Sequence, residues 1–237
     1  MATQAQDLGD QSWFLKGWRT YRKFLDLNYM NHREVYGFLR GVLLAEAPPG
    51  FRFLDVACGD AAASVTALAG TGIGRYTGID ISRPALDLAR AELAVLPCPV
   101  ELIEQDFASA LAAWSDPVDV VWIGQSLHHL SPEGKRAVAR DVRRILAPGG
   151  LFLIWEPTTL PGEDRNGWVD RVAERGRTFW TEFDAEERDT VVAHCRASDY
   201  PETAAWWLSL GEACGYAAAR DLLEAPPALG RVYGFTA

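Results

Sequence analysis

Beyond residue 51, short apolar runs alternate with longer stretches of helical periodicity. The runs cover residues 51–56, 75–79, 100–103, 118–123 and 151–155. Between them, residues 61–69, 84–95, a short 108–114 and 132–146 repeat their apolar positions at three- and four-residue steps, the period of one helix face. Ser82 and Ser131 are placed to cap two of these helices, with Pro84 and Pro132 in or near the first turn, where a missing N–H costs nothing. Pro148-Gly149-Gly150 stops the last one. Alternation at this spacing predicts βαβ units and a parallel sheet. Right-handed crossovers then put helices on both faces. In such open sheets ligands bind beyond the carboxyl ends of the strands, near the switch in strand order.

Both ends depart from this rhythm. Residues 10–46 predict two helices, one with Trp13, Phe14, Trp18, Tyr21, Phe24 and Leu25 on a face, the other with Val35, Tyr36, Phe38, Leu39, Val42 and Leu43. Pro48, Pro49 and Gly50 end the second. Residues 157–200 are polar and mixed in charge, with Trp168, Phe179, Trp180 and Phe183 among them. That is too long for an ordinary connector, so it reads as a partly helical insertion over the sheet edge, in the position of a lid. A helix over 201–215 follows, then two strands over 218–224 and 231–236 able to pair as an antiparallel hairpin. The expected architecture is a Rossmann-like, seven-stranded, mostly parallel α/β sheet over residues 48–237, with a helical cap over 1–47.

Composition narrows the function. The chain has 237 residues and is 49% hydrophobic and 23% charged, enough for a large core and against wholesale disorder. Its formal net charge of -9 opposes nucleic acid as the main partner, because duplex affinity comes mostly from Lys and Arg neutralising phosphates. Cys58, Cys98, Cys195 and Cys214 form no C-x-x-C pair. The adjacency of His194 and Cys195 does not by itself make a tetrahedral site, so no metal is expected. Reduced thiols fit a cytoplasmic protein. The first residues lack the pattern of a signal peptide, and no apolar run of about 18 residues predicts a membrane span.

Four segments at the predicted strand exits carry candidate chemistry. Asp55-Val56-Ala57-Cys58-Gly59-Asp60 runs from a strand into a turn of small residues, which lets backbone approach a ligand or is simply a tight turn. Asp80 ends the second strand. It can accept both hydroxyls of an adenosine ribose and repel a 2′-phosphate, or it can cap a helix. Asp106-Phe107 follows the third strand, an acid for an exocyclic amine beside a ring, or a turn residue beside the core. Gly124 and Gln125, ahead of Leu127-His128-His129-Leu130, mark where a ligand's amino-acid end could lie.

In this order and spacing the segments resemble the class I methyltransferases, especially the small-molecule branch, over residues 51–156. The resemblance implies S-adenosylmethionine as cofactor. Asp55, Ala57 and Gly59 would line its methionine and ribose, Asp80 would hold the ribose hydroxyls, and Ile81 would lie against the adenine. Asp106 would bond the adenine amine with Phe107 nearby, and Gly124 would meet the methionine end. The family's turn is usually Asp-x-Gly-x-Gly-x-Gly, whereas Ala57 and Ala61 stand here at the first and third glycines. Tyr29 and Arg33, between the two N-terminal helices, are candidates for reaching the methionine carboxylate, or belong to a solvated turn.

Methyl transfer from a sulfonium is an in-line displacement that asks mainly for alignment and exclusion of water. A base is needed only for a protonated acceptor. His129, His128 and Glu156 are the candidates, though adjacent side chains on a helix or turn point about 100° apart, so both histidines cannot face one pocket. The expected activity is O- or N-methylation of a small molecule, with a homodimer left open. The competing readings are a nicotinamide-dependent oxidoreductase, a non-catalytic binding protein on the same fold, and transfer of another carbon group from the same cofactor. Gly59-Asp60-Ala61-Ala62 fails the Gly-x-Gly-x-x-Gly that the first would want.

Overall fold

The computed structural model describes residues 22–225 and 229–237. Trp13, Phe14, Trp18 and Tyr21 of the first expected helix lie outside the described residues, whereas residues 22–26 are helical. The elements follow the expected alternation: α1 (His32–Glu46), β1 (Arg52–Val56), α2 (Ala62–Leu68), β2 (Arg75–Asp80), α3 (Arg83–Glu92), β3 (Val100–Glu104), α4 (Phe107–Ala113), β4 (Val118–Gly124), α5 (Pro132–Ile145) and β5 (Leu146–Thr159). After β5 come α6 (Arg165–Phe179), α7 (Ala185–Ser198), β6 (Glu202–Thr203), α8 (Ala204–Ala213), β7 (Ala218–Ala225) and β8 (Gly230–Thr236). Ser82 and Ser131 cap α3 and α5, accepting from the backbone N–H of Ala85 and Gly134.

The sheet has eight strands among the described residues, one more than expected: seven in the order β3-β2-β1-β4-β5-β8-β7, and β6 beside β5 off that path. The first five are mutually parallel. β8 is antiparallel to both β5 and β7, so the last two strands make the expected hairpin. β5 is longer than the apolar run at 151–155. It begins straight after α5, where Leu146 pairs with Val118, and a register shift between Val118 and Val120 takes up the Pro148-Gly149-Gly150 kink. Gly149 has φ +74° there, a conformation glycine adopts without a Cβ penalty. At its far end, Thr158 and Thr159 pair with β6.

Each strand's alternate residues divide between the two faces. Phe53, Val120, Trp122, Leu151, Leu153 and Trp155 pack with α1, α2 and α3. Leu54, Val56, Val121, Ile123, Phe152 and Ile154 pack with α4, α5 and α8. Both faces are therefore dry, as parallel strands require. Truncating any of these side chains to alanine costs about 2–5 kcal/mol. On α8, Trp207 is buried and Trp206 is partly exposed, since neighbours on one helix cannot both point inward.

A third cluster joins the insertion to the N-terminal segment. Phe24 meets Trp180 and Phe183 edge-on, at 4.7 Å in each case, alongside Trp168, Val169 and Val172 of α6. Lys23 Nζ pairs with Glu187 at 2.8 Å, and Glu187 also completes the capping box of α7. No helix among the described residues is long and apolar enough to cross a membrane.

Candidate active site

The exits of β1 and β2 meet at one rim. Gly59 N–H donates to Asp80 Oδ2 and Ser82 N–H to Asp80 Oδ1, both at 2.8 Å. Asp80 is half-buried. Burial raises its pKa, while the amides of Ser82, Gly59 and Ile81 hold it down. Ala57, Gly59 and Ala61 all have positive φ, of 56°, 55° and 56°. Two alanines thus adopt the backbone that the resemblance assigns to glycines, at about 1 kcal/mol each. A Cβ built on Gly59 would meet nothing within 4 Å, so the space beside the turn is open.

Asp55 is placed differently from the expectation that it lines a ligand. Its side chain is buried and accepts from the Tyr76 hydroxyl at 2.8 Å. Burial pushes its pKa up to about 6, against the hydrogen bonds from Ser64 and Tyr76 that pull it down. It props the turn from below. The strand period explains the correction, because Tyr76 on the neighbouring strand projects onto the same face.

Ile81 is 73% exposed beside Asp80, an apolar surface next to the rim. Asp106 is exposed and caps α4, its Oδ1 accepting from Ser109 N–H at 2.9 Å and Ser109 Oγ at 2.8 Å. Phe107 packs partly into the core. At the end of β4, the Trp122 ring lies 3.3 Å from where a Gly124 Cβ would be, so even a methyl there would push the indole by a few tenths of an ångström. Gln125 has φ +57° and its N–H donates to Trp155 O at 2.8 Å.

The three candidate bases separate sharply. Glu156 has no exposed surface. Its Oε1 accepts from the N–H groups of Ser126 and Leu127 at 3.0 and 2.8 Å. Its Oε2 accepts from His128 N–H at 3.2 Å and faces His128 Nδ1 at 2.7 Å. A carboxylate so engaged braces the β4 exit and presents no surface from which to meet a substrate directly. His128 is itself buried. Because a carboxylate only accepts, Nδ1 carries the proton toward Glu156, and Nε2 lies 3.7 Å from Asp199 Oδ1. His129 retains 42% side-chain exposure. Burial first, and His128 beside it, hold its pKa below 6.5. Both causes favour the uncharged ring.

Tyr29 and Arg33 make their polar contacts elsewhere. The Tyr29 hydroxyl accepts from Glu182 N–H at 3.1 Å and lies 3.4 Å from Thr181 Oγ1, anchoring the insertion. Arg33 Nη2 donates to Asp26 O at 3.0 Å. Instead, Arg22 reaches the turn, donating to Asp60 Oδ2 at 2.9 Å. Two other groups stand out only in three dimensions. Against the expectation that adjacent histidines diverge, the His128 and His129 rings lie 4.1 Å apart and both reach Asp199, because they sit in a tight turn at the β4 exit. Lys135 is buried with Nζ donating to Tyr200 O at 2.6 Å and Glu202 Oε1 at 2.7 Å. The signal for Lys135 was its place on the apolar stripe of α5, three and four residues before Val138 and Ala139. Two clefts stand away from the rim. One, of about 410 Å³, opens between Arg52, Arg75 and Trp114 at the amino ends of the strands. The other, of about 350 Å³, lies between Thr158, Thr203 and Arg231.

The strand order, the small-residue turn after β1 and the carboxylate ending β2 define a class I methyltransferase fold. Residues 53–150 match the model of the methyltransferase domain family. The carboxy-S-adenosyl-L-methionine synthase of Chromohalobacter salexigens is 30% identical over 144 residues, 56% of this chain and 52% of that protein. The chain spans about half the length of the curated relatives it matches. Among solved structures, the plantazolicin methyltransferase BamL, in complex with a triazolic desmethylPZN analog and S-adenosylhomocysteine, superposes with a TM-score of 0.65 at 14% identity, covering 99% of this chain and 96% of that one. The magnesium protoporphyrin IX methyltransferase ChlM of Synechocystis PCC 6803, with bound S-adenosylhomocysteine, gives 0.62 at 17% identity, over 100% and 99%. At these identities the likeness shows the fold.

Proposed function

We propose that the chain binds S-adenosylmethionine at the exits of β1, β2 and β4 and transfers its methyl group to an oxygen or nitrogen of a small-molecule acceptor, releasing S-adenosylhomocysteine. One observation carries the reading. Asp80 is tied to the Gly59 amide at 2.8 Å beside open space, so a carboxylate and a close-approach turn converge where a nucleoside ribose would sit. Asp80 would hold the ribose hydroxyls and Ile81 would cover the adenine. Asp106 would take its amine with the oxygen not spent on Ser109, and Gly124 and Gln125 would border the methionine end. The cofactor brings a methyl already activated by its sulfonium charge. The chain's residues supply alignment and exclusion of water, with the insertion over 157–200 as lid. The match to the methyltransferase domain family and the S-adenosylhomocysteine in ChlM and BamL support the cofactor. The net charge of -9 favours a small acceptor over nucleic acid.

Isothermal titration with S-adenosylhomocysteine and with NADH tests the site. Binding of the first and not the second is expected, and the reverse would overturn the assignment. The likeness to a carboxy-S-adenosyl-L-methionine synthase favours one second reading, in which the cofactor itself is carboxylated. Mass spectrometry of the reaction products separates the two, since that chemistry leaves a heavier adenosyl product.

A further inference from the structure

We propose that His128, His129 and Asp199 form a binding site for a zinc-class divalent cation, placed between the β4 exit and the C-terminal end of α7. The inference goes beyond methyl transfer and does not depend on it. Three of the chain's four histidines surround one carboxylate oxygen. His129 Nδ1 lies 3.5 Å from Asp199 Oδ1, and His128 Nε2 and His194 Nε2 each lie 3.7 Å from it. One ligand atom from each of His128, His129 and Asp199 falls within 4.8 Å of the others. Asp199 is 4% exposed, and its Oδ1 has no hydrogen-bond partner among the described residues. An unpaired buried carboxylate oxygen is costly, and these nitrogens are too distant to hydrogen-bond it.

The spacing fits a cation between them. With ligand bonds of about 2.0–2.2 Å, donors on a tetrahedral zinc stand about 3.4 Å apart. The observed 3.5 and 3.7 Å from Asp199 Oδ1 need only a few tenths of an ångström of closure, and the histidine–histidine separation, within 4.8 Å, closes by side-chain rotation. The orientation fits as well. Glu156 faces His128 Nδ1 at 2.7 Å and so turns Nε2 toward Asp199, the carboxylate–histidine arrangement that orients metal ligands. Backbone contacts fix the third ligand, with Tyr200 N–H donating to His128 O at 2.8 Å and Asp199 N–H to Cys195 O at 3.1 Å. Nδ1 of His129 donates to the Ser198 carbonyl, 3.2 Å away, so cation binding breaks that contact and moves the ring proton to Nε2 or releases it to solvent, leaving the fourth position on the His194 side.

The test uses the tag-free full chain, stripped by chelator and titrated with zinc against a chromogenic indicator, with cobalt as a spectroscopic probe. One equivalent of zinc per chain and the intense visible bands of four-coordinate cobalt are expected. Asp199→Asn and His129→Ala should each weaken zinc binding at least tenfold. Circular dichroism in chelator checks that both variants fold. Should Asp199→Asn fail to fold, the exposed His129→Ala decides alone. Absence of stoichiometric uptake by the wild type overturns the site, as does wild-type affinity in His129→Ala, which would place the cation on the acidic surface. S-adenosylhomocysteine affinity of the stripped protein is a separate readout, so loss of the methyltransferase reading leaves this result standing.

Discussion

The exits of β1 and β4 lie side by side in one sheet, yet they are held by different means. At β1 the chain turns through three positive-φ residues, Ala57, Gly59 and Ala61, and its carboxylates act over short range. Asp80 binds backbone amides at the end of the next strand, and Asp55 lies beneath on Tyr76. At β4 the chain bears a single positive-φ residue, Gln125, and one buried glutamate from β5 gathers three amides and an imidazole. Lys135 then ties residues 200 and 202 to α5. The first exit is shaped by backbone conformation and leaves space for a ligand. The second is cross-braced by buried charge, and its loss should register as instability before it registers as lost binding.

Glu156→Ala is the largest test of that contrast. It strands three amides and an imidazole N–H in the interior, so unfolding free energy should fall by about 4 kcal/mol, read from urea denaturation. A loss under about 1 kcal/mol would mean that the brace is not energetic. Asp55 offers the next effect, through pH. Its folded pKa of about 6 exceeds the unfolded value of 3.8, so the protonated form is favoured by folding. The resulting stability is present below the unfolded value and disappears as pH rises through 6. Between pH 4 and 7 the wild type should lose about 2 kcal/mol relative to Asp55→Asn, and a flat difference would break the account of the β1 turn.

Lys135→Met should cost about 2 kcal/mol in the same denaturation assay. The loss is less than for a wholly buried pair, because the Glu202 side chain is 15% exposed and can hydrate. Asp80→Ala reverses the pattern, with little change in stability but S-adenosylhomocysteine binding at least tenfold weaker, about 1.4 kcal/mol. Unchanged affinity by calorimetry would mean that the ribose lies elsewhere. Smallest is Ala61→Gly. Relief of the left-handed strain outweighs the added freedom of the unfolded chain, so stability should rise by up to about 0.5 kcal/mol. A net loss would show that the methyl packs well enough to justify its backbone.

The order of strands and helices was legible because apolar periodicity is a local signal. The rim was legible for the same reason. Ala57, Gly59, Asp80 and Asp106 each follow a strand whose end the pattern marks, and parallel strands deliver their ends to one edge. The β4 brace was not legible. Glu156 looked like a second base because a carboxylate at a strand end has the same signature whether it faces solvent or four donors. For Tyr29 and Arg33 the sequence leaves a cofactor contact and a solvated turn both open, because a polar turn between helices carries no record of the insertion that Tyr29 contacts. The long β5 was hidden by its Pro-Gly-Gly kink, which a bulge absorbs.

Sequence alone determined the α/β alternation, the two-faced burial of the central strands, and the placing of a small-residue turn and Asp80 at the carboxyl edge. Each depends on residues within one strand and the turn after it. Only the tertiary structure decided that Glu156 is a brace, that Asp55 is buried, and that Asp199 meets His128 and His129. Those outcomes depend on which distant segments pack together, and desolvation and hydrogen-bond satisfaction are properties of the surroundings rather than of the residue.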